Sequence, residues 1–171
     1  MFCPYSVRQA RRNDIPSIVA LWQQMMAVHQ ALDGRFRLVA DADVEFARHA
    51  RRMMQAAGSR IFVAEMGAHV IGYVLAEMQQ RPPIYPAGRY GFISDLCVAE
   101  PFRRRGIGRA LAQRAIGWLQ SEGATAVELL ASDRNQTARE FWAAMGFEPY
   151  LVMLRRESDA HSPARIGFRI V

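Results

Sequence analysis

With 171 residues, 51 % of them hydrophobic and 10 % aromatic, the chain has the composition of one folded domain and not of a disordered or fibrous segment. Its net charge is +6 and all 22 basic residues are arginine. The lack of lysine leaves no side-chain amine and excludes a P-loop, which needs Gly-Lys-Ser or Gly-Lys-Thr. No apolar run approaches the roughly 20 residues that cross a bilayer. The start of the chain shows no basic-then-apolar leader, so the two cysteines, Cys3 and Cys97, predict a reducing, cytoplasmic setting.

Tyr5 to Arg8 reads as a short opening strand. Asn13-Asp14 offers a helix cap, with Pro16 in the first turn where its missing N–H does no harm. Ile15, Val19, Trp22, Met26 and His29 then recur at helical spacing. A polar stretch from Asp33 leads to a second helix, Asp43 to Ala57, with Phe46, Ala50, Met53 and Ala57 on one face. Arg48, Arg51 and Arg52 stand on the other, as a solvated face or as an attraction for an acidic molecule. Arg60 to Glu65 and His69 to Met78 form a hairpin around Met66-Gly67-Ala68.

Pro82, Pro83 and Pro86 make Arg81 to Gly88 a semi-rigid loop, with Tyr85 and Tyr90 as groove-wall aromatics. Tyr90 to Val98 is a strongly apolar strand interrupted by Ser94 and Asp95. A helix from Ile107 to Gln120 is stopped by Gly123. Thr125 to Leu130 is a strand, Asn135 to Met145 a helix stopped by Gly146, and Phe147 to Arg155 one or two strands. Beyond a polar break, Ile166 to Val171 forms an apolar end. One domain over residues 1–157 and an extension over 158–171 are expected, the latter available as an edge strand across a homodimer. The order β-α-α-β-β-β-α-β-α-β gives an α/β class, mixed, with six to seven strands and four helices on the faces of the sheet.

The chemistry concentrates between Gly91 and Phe147. Gly106-Ile107-Gly108 opens a helix soon after the strand that ends at Val98. Glycine lets a ligand approach the backbone, and the N–H groups and dipole of a helix start favour an anion there. Arg103, Arg104 and Arg105 precede it, which makes a site for a pyrophosphate. A dinucleotide fingerprint fits poorly, because Leu111 stands where a third small residue belongs and the loop does not follow the first strand.

Gly91-Phe92-Ile93-Ser94-Asp95-Leu96-Cys97-Val98 followed by Pro101-Phe102-Arg103-Arg104-Arg105-Gly106-Ile107-Gly108-Arg109-Ala110-Leu111 resembles the acetyl-CoA signature of the GNAT superfamily of N-acetyltransferases. Asn135, Ala138, Phe141, Gly146 and Phe147 resemble its next block. The resemblance implies a GNAT fold, a mostly antiparallel twisted sheet splayed between its fourth and fifth strands, and transfer of acetyl from acetyl-CoA to an amine acceptor without a metal. It implies that Leu96, Cys97 and Val98 offer backbone groups to the pantetheine arm, one N–H bonding the thioester oxygen. Arg103, Arg104, Arg105, Gly106, Ile107, Gly108 and Arg109 would wrap the pyrophosphate, and Asn135 would reach the coenzyme from the next helix. Asp95 is the first candidate for base, through water, and Glu77 the second. Each also has a structural reading, Asp95 as a loop-bonding residue and Glu77 as an exposed strand end. Cys97 reads as a buried strand cysteine and not as a nucleophile.

One position departs from the family. A tyrosine that protonates the leaving sulfur is common after the second block's aromatic, and here Trp142 follows Phe141. Either the thiolate leaves unaided, since a thiol has a pKa of about 8.5, or the domain holds acyl-CoA as a signal. No nucleic-acid partner is expected, because no zinc-finger or RNA-recognition pattern accompanies the arginines.

Overall fold

The computed structural model describes residues 5–84 and 88–156. Cys3, Tyr85 and the extension over 158–171 lie outside the described residues. Strand β1 (Ser6–Gln9) leads through a short 3-10 turn (Arg12–Asp14) into helices α1 (Ile15–Leu32) and α2 (Ala42–Gln55). Strands β2 (Ser59–Met66), β3 (His69–Gln80) and β4 (Arg89–Val98) follow, then α3 (Ile107–Ser121), β5 (Ala124–Leu129) and α4 (Gln136–Ala144). The strands form one sheet in the order β1-β2-β3-β4-β5. Strands β1 to β4 pair antiparallel with one another, whereas β5 runs parallel to β4, as its crossover through α3 requires.

Strand alternation divides the core into two layers. In β2, Phe62 and Ala64 face α3, where they pack with Leu111, Ala115, Trp118 and Leu119, while Ile61 and Val63 face Ile18, Leu21 and Phe46 of α1 and α2. Side chains as fully enclosed as Phe62, Leu111 and Leu119 contribute about 1.5–3 kcal/mol each. At Gly91 the sheet and α3 nearly touch: a β-carbon there would lie 2.6 Å from Leu119 Cδ1.

The expected helix cap at Asn13-Asp14 is built differently. Asp14 caps the 3-10 turn, not α1: it accepts from the Arg11 N–H at 2.6 Å, and the Arg8 guanidinium takes both its oxygens, at 2.7 and 3.0 Å. Arg8 also grips Glu65 at 2.8 and 2.9 Å, which ties β1, β2 and the start of α1 together.

The sheet has five strands among the described residues, not six to seven. The strand expected over Phe147 to Arg155 is irregular there. Gly146 closes α4 at φ +88°, Pro149 lacks an N–H for a ladder, and Tyr150 to Leu154 stay exposed with no strand paired to them. No helix among the described residues is long and apolar enough to cross a membrane.

Candidate active site

Strand β4 positions the candidate site through an irregularity. Its partners on β3 run Gly91 to Met78, Phe92 to Glu77 and Ile93 to Ala76, then jump to Asp95 opposite Leu75, so Ser94 is an extra residue. Such a bulge bends and twists its strand. The parallel pairing with β5 also stops here, with Ile93 opposite Leu129 as its last pair. Leu96, Cys97 and Val98 keep partners on β3 alone, opposite Val74, Tyr73 and Gly72. One side of their backbone is thereby left open toward the place where β5 has ended.

The bulge also decides which way the side chains face. Ile93, Leu96 and Val98 pack into the α3 layer, while Cys97 packs into the α1 and α2 layer. Asp95, opposite Leu75, shares the α1 and α2 side. It accepts a long 3.5 Å hydrogen bond from the Tyr73 hydroxyl. Burial pushes the Asp95 carboxyl up to about 6, against the opposing pull of that bond. Tyr73 itself is wholly buried, and burial, then the neighbouring Asp95, hold its hydroxyl far above the usual tyrosine range. Glu77 lies on the same side two pairs along β3 and accepts from Ser94 Oγ at 3.2 Å. The two candidate carboxylates are thus on one face, with Ser94 beside them.

Cys97 directs its thiol away from the open edge, onto the Leu21 carbonyl of α1 at 3.3 Å. Burial raises it to about 11, so it is a thiol at neutral pH and no nucleophile.

The loop from β4 to α3 folds as its glycines and arginines dictate. Arg104 has φ +61°, and Gly106, at the start of α3, has φ +82°, a left-handed conformation that favours glycine. The first-turn N–H groups of α3 have no intrahelical acceptor and point out of the helix start. Gly108 sits between strand and helix: a β-carbon there would be 3.8 Å from Leu96 Cδ2 and 3.5 Å from Phe141 Cε2. The start of α3 therefore lies against the open part of β4. Arg104, Arg105 and Arg109 are exposed, with Arg105 5.8 Å from the Phe102 ring centroid. Arg103 is partly engaged, because its Nε donates to the Val98 carbonyl at 2.9 Å and fixes the end of β4.

Asn135 is the cap of α4, its Oδ1 accepting from the Ala138 N–H at 3.0 Å. Its amide nitrogen donates no hydrogen bond among the described residues. Trp142 is buried in the α3 layer, edge-on to Phe141 at 4.9 Å and to Phe147 at 5.1 Å. It is a packing residue. Tyr90 lies under the Arg81 guanidinium, 4.4 Å from its ring centroid, and Arg81 also pairs with Glu128 of β5.

Two features were not found from the sequence. Tyr73, the hydroxyl against Asp95, reads as an ordinary apolar position of a central strand. Arg134 in the β5–α4 connection reaches across to the end of α1, where it donates to the Leu32 carbonyl at 3.4 Å and lies 3.7 Å from Asp33. The register of alternating residues carries the signal for Tyr73 once the bulge is known. No local signal marks Arg134, whose partners are about a hundred positions away.

Residues 22–147 match the model of the acetyltransferase (GNAT) family. An uncharacterized N-acetyltransferase of Methanocaldococcus jannaschii is 33 % identical over 87 residues, a match covering 51 % of this chain. The chain covers only 38 % of the length of that relative. Among solved structures, a mutant of the BH1408 protein of Bacillus halodurans superimposes with TM-score 0.82 at 22 % identity, over 90 % of this chain and 99 % of that one. The aminoglycoside N-acetyltransferase AAC(6')-Iy in complex with CoA gives TM-score 0.68 at 17 % identity, over 93 % and 97 %. At these identities the structural likeness is one of fold.

Proposed function

As the chain belongs to the acetyltransferase (GNAT) family, we propose that it moves an acetyl group from acetyl-CoA to a primary amine by direct attack, within one domain over residues 1–157. The observation that carries this reading is the parting of β4 from β5 after Ile93, directly beside the glycine-opened start of α3. An extended arm fits along Leu96 to Val98, where backbone groups lack a strand partner on one side. A pyrophosphate fits the N–H groups of Gly106 to Arg109, with Arg104, Arg105 and Arg109 around it. Arg103 supports that loop from below through the Val98 carbonyl. The amide nitrogen of Asn135 is the group we assign to the coenzyme from α4.

In the step itself, the amine lone pair attacks the thioester carbonyl carbon, the C–S bond breaks, and the thiolate leaves. Asp95, held near 6 by its burial, takes the proton that the amine loses, through water, and Glu77 is the alternate acceptor. A β4 backbone N–H stabilises the oxyanion. Trp142 supplies no proton, so the thiolate departs with water or unaided.

That same buried tryptophan favours a second reading, a catalytically weak module that binds acyl-CoA as a signal. Thiol release from acetyl-CoA with a panel of primary amines separates the two. Turnover that disappears in Gly106→Val, where a side chain at φ +82° strains the loop by about 1–2 kcal/mol, supports transfer. Tight coenzyme binding with no turnover across the panel supports the signal-binding module instead.

A further inference from the structure

On the face of the sheet covered by α1 and α2, residues of α2, the α1–α2 connection and Trp22 line an open cleft of about 410 Å³. Its floor is aromatic: Trp22 and Phe46 stack with ring centroids 4.5 Å apart and planes within 8°. Leu38 and Val39, 39 % and 70 % exposed, line it from the α1–α2 connection. Arg37 and Arg52 line it as well, and neither forms an ion pair among the described residues. The one carboxylate in the lining, Glu45, is already paired with Arg48. In this shallow, solvent-open depression the apolar floor and the two exposed, unpaired guanidiniums are complementary to a ligand with an apolar body and an anionic group.

We propose that this cleft binds a carboxylate-bearing amine with an apolar or aromatic body, and that the acceptor of the acetyl group belongs to this class. The second part rests on the transfer reading above. The cleft and Asp95 belong to the same side of the sheet, with Phe46 packed 6.4 Å from the Tyr73 ring and the Tyr73 hydroxyl on Asp95. The pyrophosphate loop opens α3, on the other side, so the two substrates approach from different layers. Of the three arginines on α2, Arg52 faces the cleft, whereas Arg48 is spent on Glu45.

Matched pairs of probes test it: L-phenylalanine against phenethylamine, L-tryptophan against tryptamine, and L-leucine against isoamylamine, each pair differing in the carboxylate. Calorimetric titration into the full chain is expected to show the carboxylate member of at least one pair binding about tenfold more tightly or better. In Arg37→Gln/Arg52→Gln that difference is expected to vanish while the melting temperature and the coenzyme affinity hold. Equal affinities within every pair, no binding by any carboxylate at millimolar concentration, or a preference that survives the double substitution would overturn the cleft assignment. Turnover assays are a separate arm. A carboxylate preference in binding with no acetylation of any probe leaves the cleft standing and removes its link to transfer.

Discussion

Asp95 is the side chain whose environment says most about its chemistry. Its carboxyl is held at about 6 because burial penalises the charge more than the Tyr73 hydroxyl relieves it. The charged form, the one able to accept a proton, predominates above that value. If Asp95 takes the proton, kcat/KM rises with pH through about 6, and the rise is absent in Asp95→Asn. A pH–rate profile of both proteins checks this. The same shift has a stability consequence of opposite sign to that of a salt-bridged carboxylate. The folded chain holds the Asp95 proton more tightly than the unfolded one, so this group costs stability as pH rises from the ordinary carboxylate range to 6. Asp95 was legible in the sequence as a polar interruption of an apolar strand. The direction of Cys97 was not, because simple alternation through Ser94 inverts the face of every residue that follows.

Among the elements, helices and the central hairpin were legible from periodicity and from Gly and Pro punctuation, and their ends agree to within a few residues. The strand expected after Gly146 was not, because an apolar run specifies a strand only where a ladder is available to receive it. Asn135 has one observed duty, as the cap of α4, and one proposed at the coenzyme. It was expected at the coenzyme, and the structure has its oxygen capping α4. Asn135→Ala is therefore expected to lose about 1 kcal/mol of stability together with coenzyme affinity. Asn135→Asp keeps a capping oxygen but no N–H donor, so its unfolding midpoint should stay near that of the parent while coenzyme binding weakens. Urea unfolding and coenzyme titration of both variants separate the two duties. If Asn135→Asp binds coenzyme as the parent does, capping is the residue's whole contribution.

For the molecule as a whole, acid sensitivity should originate at the β1 end of the sheet. The Arg8 guanidinium, hydrogen-bonded to both carboxylates, draws Asp14 and Glu65 below the usual range. Depressed carboxylates add stability at neutral pH that is lost as pH falls through their folded values. Arg8→Met strands the buried Asp14 carboxylate and is expected to cost about 2 kcal/mol at pH 7. That deficit should shrink on acidification, which chemical denaturation at a series of pH values would show. A deficit independent of pH would mean that Arg8 acts through packing alone.

The extra residue on β4 has a consequence at this scale too. Excising Ser94 leaves Ile93 toward α3, Asp95 toward α1 and Leu96 toward α3, so every core side chain keeps its neighbours. What disappears is the slack that lets β4 peel away from β5. The shortened chain should unfold cooperatively, near the parent's midpoint, yet no longer take up coenzyme as judged by titration, because the two strands can zip together past Ile93. Ser94→Ala, which keeps the count, should bind nearly as the parent does. The opening would then depend on how many residues the strand contains and hardly at all on which residue is the surplus one.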